Sequence, residues 1–303
     1  MTMITPAYLQ PGDTIGIVCP AGYMPAATVQ TCVDVLTQWG YKVLQGTTVG
    51  GNSITYFSGT DEERRLDLQR MLDDTSVKAI LCGRGGYGTG RIIDQLDFTQ
   101  FMRQPKWIIG YSDITILHAH LHQHYGVISL HAPMAAAFNN EGWKNEYVQS
   151  LREALQGITS ACAGPEHPFN RLGMANGQLV GGNLALLAHL VGTPSDLDTT
   201  GKILFIEDVG EQLYNIDRML YQYQRSGKLD HLAGLIVGGF TECKDTERPF
   251  GQSALEIIRD RVASYEYPVC FDFPVSHTER NYALKVGALY ELKVDSTGSL
   301  LAE

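Results

Sequence analysis

Trp107-Ile108-Ile109-Gly110-Tyr111-Ser112-Asp113-Ile114-Thr115 is an apolar, branched run that stops on a glycine, a hydroxyl and a helix start. Its first three residues have the length and branching of a short buried strand. Ile114 to Tyr125 reads as a helix, which puts Ser112 at the turn between the two. Gly-x-Ser at a strand-to-helix turn has the form of a nucleophile elbow: the sharp turn lifts the serine oxygen off the backbone and leaves nearby N–H groups to hold an oxyanion. The form is incomplete, because Ile114 stands where a full elbow carries its second glycine. A competing reading leaves Ser112 and Asp113 as nothing more than a helix cap.

Working outward, Thr14 to Cys19 reads as a buried strand, Pro20-Ala21-Gly22 as a turn, and Ala26 to Trp39 as a helix closed by Gly40. Tyr41 to Leu44 is a second strand, Asp61 to Leu72 a helix with an acidic start, Ala79 to Cys82 a third strand, and Arg91 to Leu96 a helix. This alternation is how a parallel α/β sheet is built. After a strand at Val127 to Leu130 and a helix at Glu146 to Gln156, the composition turns small and polar from Thr159 to Asn170. That shift divides the chain into an α/β domain over 1–158 and a smaller domain over 170–303. In the second, Gln178 to Asn183, Ile203 to Glu207, Leu235 to Phe240 and Ala288 to Val294 read as strands, with helices at Leu184 to Leu190 and Ile216 to Arg225. The alternation over Ala288 to Val294 suggests a half-exposed antiparallel edge, so the second sheet is expected to be mixed.

With 303 residues and 44% apolar side chains, the chain has the size and composition of a two-domain globular protein. A net charge of −10 argues against nucleic acid or an anionic membrane as partner. Six cysteines without Cys-x-x-Cys spacing suit a reducing cytoplasm. Neither a signal peptide nor an apolar run of the ~20 residues needed for a membrane span is expected.

Several constellations compete for function. Gly83-Arg84-Gly85-Gly86-Tyr87-Gly88 satisfies the Gly-x-Gly-x-x-Gly fingerprint of dinucleotide binding, but it follows a later strand than that fingerprint normally does. Its other reading is a loop whose small residues bring backbone N–H groups close to an anion or a carbonyl. His118, His120, His122 and His124 share helix faces in pairs at i, i+4 spacing; no glutamate or cysteine completes a zinc motif, so no metal is expected. Glu207-Asp208 ends an apolar strand on carboxylates, and His277 sits in a loop after a proline-bounded strand. Ser112, His277 and Glu207 together would supply a nucleophile, a base and an orienting acid.

The glycine loop, Gly110-Tyr111-Ser112-Asp113, Gly181-Gly182-Asn183-Leu184, Phe205-Ile206-Glu207-Asp208 and Ser276-His277, taken in this order, resemble the LD-carboxypeptidase family, whose members include muramoyltetrapeptide carboxypeptidases and microcin-immunity serine peptidases. The resemblance implies a flavodoxin-like N-terminal domain, a swivelling β/α C-terminal domain, a Ser112–His277–Glu207 triad, and a cytoplasmic homodimer without cofactor. It further implies oxyanion donors at the N–H groups of Asp113 and Gly86. The implied substrate is a murein tetrapeptide, cut between the L-centre of meso-diaminopimelate or lysine and a terminal D-alanine. On charge alone, Arg84 or the glycine-loop amides, that of Gly85 among them, would meet the substrate carboxylate, and Glu242 or another acid its amine. Hydrolysis of a microcin-type peptide–nucleotide and nucleotide binding at Gly83–Gly88 are the alternatives.

Overall fold

Three apolar runs of the first half, 15–18, 79–82 and 107–110, carry no polar alternation because both of their faces are covered, and parallel strands flanked by helices read this way. A computed structural model describes residues 2–51 and 53–303. The chain divides into two compact units, Met1–Ile158 with Tyr282–Lys285, and Thr159–Asn281 with Val286–Glu303.

In the first unit, β1 (Thr14–Val18) leads through α1 (Ala26–Gln38) to β2 (Lys42–Gln45), and α2 (Asp61–Asp73) leads to β3 (Val77–Cys82). The short α3 (Thr99–Arg103) precedes β4 (Trp107–Gly110), and α4 (Thr115–His120) precedes β5 (Ser129–His131) and α5 (Glu146–Gln156). α2 starts where it does because Thr60 and Glu63 form a reciprocal capping box. α5 runs from an Asn145 cap to Gly157 in the left-handed region. β1 pairs in parallel with both β2 and β3, β3 with β4, and β4 with β5. The resulting order, β2-β1-β3-β4-β5, is flavodoxin-like, as the family resemblance implied. In such sheets ligands meet the carboxyl ends of the strands at the point where the strand order reverses, here between β1 and β3.

The second unit holds β6 (Ala161–Gly164), β7 (Gly173–Asn183), α6 (Leu184–Leu190), β8 (Ile203–Val209), α7 (Leu213–Arg225), β9 (Gly234–Thr241), α8 (Ala254–Arg261) and β10 (Val269–Cys270). β11 (Leu284–Val286) joins the first sheet beside β5, and β12 (Leu289–Asp295) and β13 (Gly298–Ala302) complete the second, in the order β10-β9-β8-β7-β12-β13-β6. β7 to β10 are parallel, while β12, β13 and β6 are antiparallel, so the sheet is mixed as expected. α7 buries Ile216, Met219, Leu220 and Tyr223 at helical spacing.

Two expectations fail. Arg91 to Leu96 forms two short 3₁₀ turns, Thr89–Arg91 and Ile93–Gln95, in place of a helix. A six-residue stretch with one acid and no capping side chain has little to offset the cost of helix nucleation. β12 alternates as read, yet it is no edge, because β7 and β13 pair on either side of it and its polar side chains face outward from the middle of the sheet. No helix among the described residues is long and apolar enough to cross a membrane.

At Gly181 in β7, which has φ 144°, a β-carbon would overlap the Phe205 carbonyl oxygen on the neighbouring β8. Gly181→Ala combines backbone strain with overpacking, and a loss of about 3 kcal/mol is expected from the two together. A denaturant midpoint unchanged from wild type would show that the strands do not meet in this way.

Candidate active site

The residues picked out from the sequence fall into two clusters, one in each unit, both at the carboxyl ends of parallel strands. In the first unit, Tyr111 is extended, with φ −147° and ψ −172°, and Ser112 then turns sharply to φ 64° before a 3₁₀ turn feeds α4. A left-handed backbone in a non-glycine residue costs roughly 1 kcal/mol, and a helix N-cap sits in the extended region instead. No side-chain capping bond is made at this helix start. The capping role therefore does not account for Ser112, and the elbow geometry does.

What surrounds Ser112 fixes the turn. A β-carbon on Gly85 would lie 2.9 Å from Ser112 Cβ, 3.2 Å from its Oγ and 3.3 Å from the Asp113 N, so only glycine lets the loop come this close. The fully buried Asp113 carboxylate accepts from the Thr89 N–H at 2.8 Å, tying the turn to the far end of the glycine loop. Burial pushes that carboxyl above its usual range, opposed by the Thr89 bond and the Arg64 charge. His118, also without exposed surface, spans Ser129 Oγ and the Gly110 carbonyl, each at 2.8 Å. Burial lowers its pKa to about 4, so the ring is neutral at physiological pH. Since a carbonyl only accepts, Nε2 carries the proton to Gly110 and Nδ1 accepts from the Ser129 hydroxyl. His118 thus braces the last carbonyl of β4. Arg84 is exposed and donates through Nη1 to the Tyr23 carbonyl at 2.6 Å.

The glycine loop runs into 3₁₀ turns, so the long helix whose N-terminus holds pyrophosphate in a dinucleotide site is missing here. Among the described residues, no group of three or more His, Cys, Asp or Glu side chains is arranged to hold a metal ion.

In the second unit, β8 ends in two carboxylates. A register shift between Ile206 and Asp208 disturbs the pleat there, and bulges of this kind re-aim side chains beside functional sites. Glu207, with no exposed surface, accepts from His277 Nδ1 at 2.6 Å. Asp208 accepts from Asn183 Nδ2 at 2.8 Å, the Ala185 N–H at 2.9 Å and the Val209 N–H at 2.8 Å. Burial pushes it up to about 6 against those donors. The Phe273–Val275 segment runs along β9 through Phe273 N–H to Val237 O (3.1 Å) and Gly239 N–H to Val275 O (2.9 Å), which carries His277 to the strand ends. Ser276 Oγ, donating to Arg280 O at 3.0 Å and accepting from Thr278 N–H at 3.1 Å, pins the loop behind it.

Burial by itself pulls the His277 pKa down. The Glu207 bond and the charges of Glu207, Asp208 and Glu242 outweigh it, leaving the pKa above the ordinary 6.5. Glu242 is exposed, with φ 53°, at the end of β9. The sequence pattern assigns no role to Asp208 or Asn183. Two acids in succession at the end of an apolar strand was the available signal for the first. The second stood inside a quoted motif without a role.

Comparison with known proteins finds matches in both halves of the chain. The LD-carboxypeptidase N-terminal domain matches residues 15–132 and the LD-carboxypeptidase C-terminal domain residues 176–292. A probable murein peptide carboxypeptidase of Bacillus subtilis is 38% identical over 290 residues, covering 93% of this chain and 89% of the relative. The crystal structure of muramoyltetrapeptide carboxypeptidase from Oxalobacter formigenes superposes with a TM-score of 0.86 at 30% identity, covering 95% of this chain and 98% of that one. A more distant relative, the microcin C7 self-immunity protein MccF of Escherichia coli, is 24% identical over 340 residues, covering 98% of this chain and 95% of the relative.

The carboxylates around His277 make its titration a test of the second cluster. Because they favour the charged ring, its NMR titration midpoint is expected above 6.5, and Glu207→Gln is expected to lower it. A midpoint that does not move on that substitution would mean that Glu207 does not hold the imidazolium. Taken with the strand-end placement of both clusters, the matches to both domain models and to a relative along nearly its whole length show that this chain is a serine-type peptidase belonging to the LD-carboxypeptidase family.

Proposed function

We propose that the chain removes the terminal D-alanine from murein tetrapeptides, cutting the amide after the L-centre of meso-diaminopimelate or lysine during cell-wall recycling. The observation that carries this reading is the left-handed Ser112 at a strand-to-helix turn. It is strained for a serine, unnecessary for a cap, and suited to an exposed nucleophile.

In this reading Ser112 Oγ attacks the scissile carbonyl carbon while His277 Nε2 takes its proton, Nδ1 being held by Glu207. The carbonyl oxygen, now an anion, is received by the N–H groups of Asp113 and Gly86. His277 returns the proton to the amide nitrogen as the C–N bond breaks, and D-alanine leaves. Water then attacks the acyl-enzyme, giving a proton to His277, and the tripeptide carboxylate departs as Ser112 recovers its hydrogen. Glu207 fixes the tautomer and stabilises the charged ring at both stages. Arg84 and the Gly85 amide receive the substrate's terminal carboxylate, and Glu242 its amine.

The reading includes a cytoplasmic homodimer. All six cysteines are free, which suits a reducing compartment. Leu172, Met174 and Leu289 are large apolar side chains left 60%, 61% and 70% exposed in the second unit. Light scattering is expected to give twice the chain mass of 33.4 kDa, and a monomer at micromolar concentration would remove this part.

The activity is tested with defined tetrapeptides ending in D- or L-alanine, read by mass. D-alanine release is expected from the first only. Ser112→Ala and His277→Ala should each lose on the order of 10⁶ in kcat and Glu207→Ala about 10⁴, as members of a triad do. Full activity in Ser112→Ala removes the mechanism. Cleavage of a peptide–nucleotide with the tetrapeptides untouched would move the function to microcin immunity.

A further inference from the structure

Backbone carbonyls from three separate segments converge on one buried guanidinium beneath the glycine loop. Arg64, in α2, has no exposed surface. Its Nη1 donates to Pro20 O at 2.6 Å and Gly88 O at 3.0 Å, its Nε to Gly59 O at 3.4 Å, and its Nη2 to the Asp61 carboxylate. The Phe57 ring lies 4.9 Å from its central carbon, and Arg91 Nε holds both Asp61 oxygens at 2.9 Å. Burying an arginine is costly unless its donors are engaged, and α2 has solvent to offer: Arg65, the next residue, turns outward to pair with Glu62. The position of Arg64 therefore needs a reason beyond the helix.

Its partners supply one. Pro20 belongs to the turn after β1, and Gly88 is the last residue of the glycine loop before Thr89. The Thr89 N–H donates to Asp113, the residue after Ser112. Within the loop, Gly85 O accepts from the Gly22 N–H at 3.0 Å, and Gly85 itself packs on Ser112. The loop is thus tied to the β1 turn through Arg64 and Gly22, and to the nucleophile turn through Asp113. Gly86 stands between these ties.

We propose that Arg64 and the Asp113 carboxylate are positioning residues, which clamp Gly88 and Thr89 from two sides and so set the Gly86 N–H against Ser112 at oxyanion distance without touching substrate. The inference rests on Ser112 being the nucleophile. A clamp of this kind acts on the transition state, where the oxyanion exists, and not on substrate binding.

Arg64→Lys keeps the charge, but one ammonium cannot reproduce the fork that reaches Pro20, Gly88, Gly59 and Asp61 together. With a folded variant, kcat on the D-alanine tetrapeptide should fall about 10²-fold, as when one oxyanion donor is lost, with KM within about threefold. Affinity for a peptide boronic acid, which forms a tetrahedral adduct on the serine, should fall in proportion, and affinity for the product tripeptide should not. Asp113→Ala should show the same split, and Asp113→Asn, which keeps an acceptor for the Thr89 N–H, should restore most of the loss. If Arg64→Lys does not fold, the Asp113 pair decides. Wild-type kcat in a folded Arg64→Lys, or equal losses in boronate and product affinity, overturns the clamp while leaving Ser112 in place. A wild-type protein that neither cleaves tetrapeptide nor binds the boronate overturns the nucleophile, and the clamp with it.

Discussion

The left-handed backbone at Ser112 is the constraint to which the first unit is fitted. A serine at φ 64° gives up roughly 1 kcal/mol of backbone preference, so the segments on either side must be held firmly enough to keep it there. β4 is buried along its whole length and paired on both sides, and the neutral His118 ring braces its last carbonyl. Beyond the turn, Asp113 is bonded to the Thr89 N–H, and Gly85, having no side chain, lets the glycine loop close on the serine. Strain concentrated at one residue and over-determined by its surroundings is the usual state of a preorganised site.

The second unit gathers two buried carboxylates at the end of β8. Glu207 lies at the end of β8 with no exposed surface and accepts from His277 Nδ1 at 2.6 Å. Beside it, burial raises Asp208 to about 6 despite three donors. Both units place their candidate residues where parallel strands end, because that is where a sheet leaves side chains and loop amides uncovered. The antiparallel half of the second sheet, β12, β13 and β6, contributes no candidate residue.

Much of this was legible in the residues. Apolar runs bounded by glycine or polar residues located β1, β3, β4 and β8 to within two residues, because buried parallel strands are the segments least ambiguous in composition. Ser112, Glu207 and His277 were visible as polar groups at the ends of such runs. The π turn at Leu121–Tyr125 that closes the histidine helix carried no signal, and neither did β11, three residues whose place in the first sheet depends on a distant partner. Arg64 was hidden for a related reason. In a helix beginning Asp-Glu-Glu-Arg-Arg, local pattern puts every charge in solvent, and only the tertiary arrival of Pro20, Gly59 and Gly88 turns one of them inward.

The proposed mechanism requires the Ser112 hydroxyl to be made reactive by the His277 imidazole. Labelling with a fluorophosphonate, followed by mass mapping of the modified peptide, addresses it directly. The account predicts a single adduct on Ser112 that is lost in His277→Ala while the protein stays folded. An adduct on another residue, or labelling of Ser112 at the same rate without His277, would contradict it.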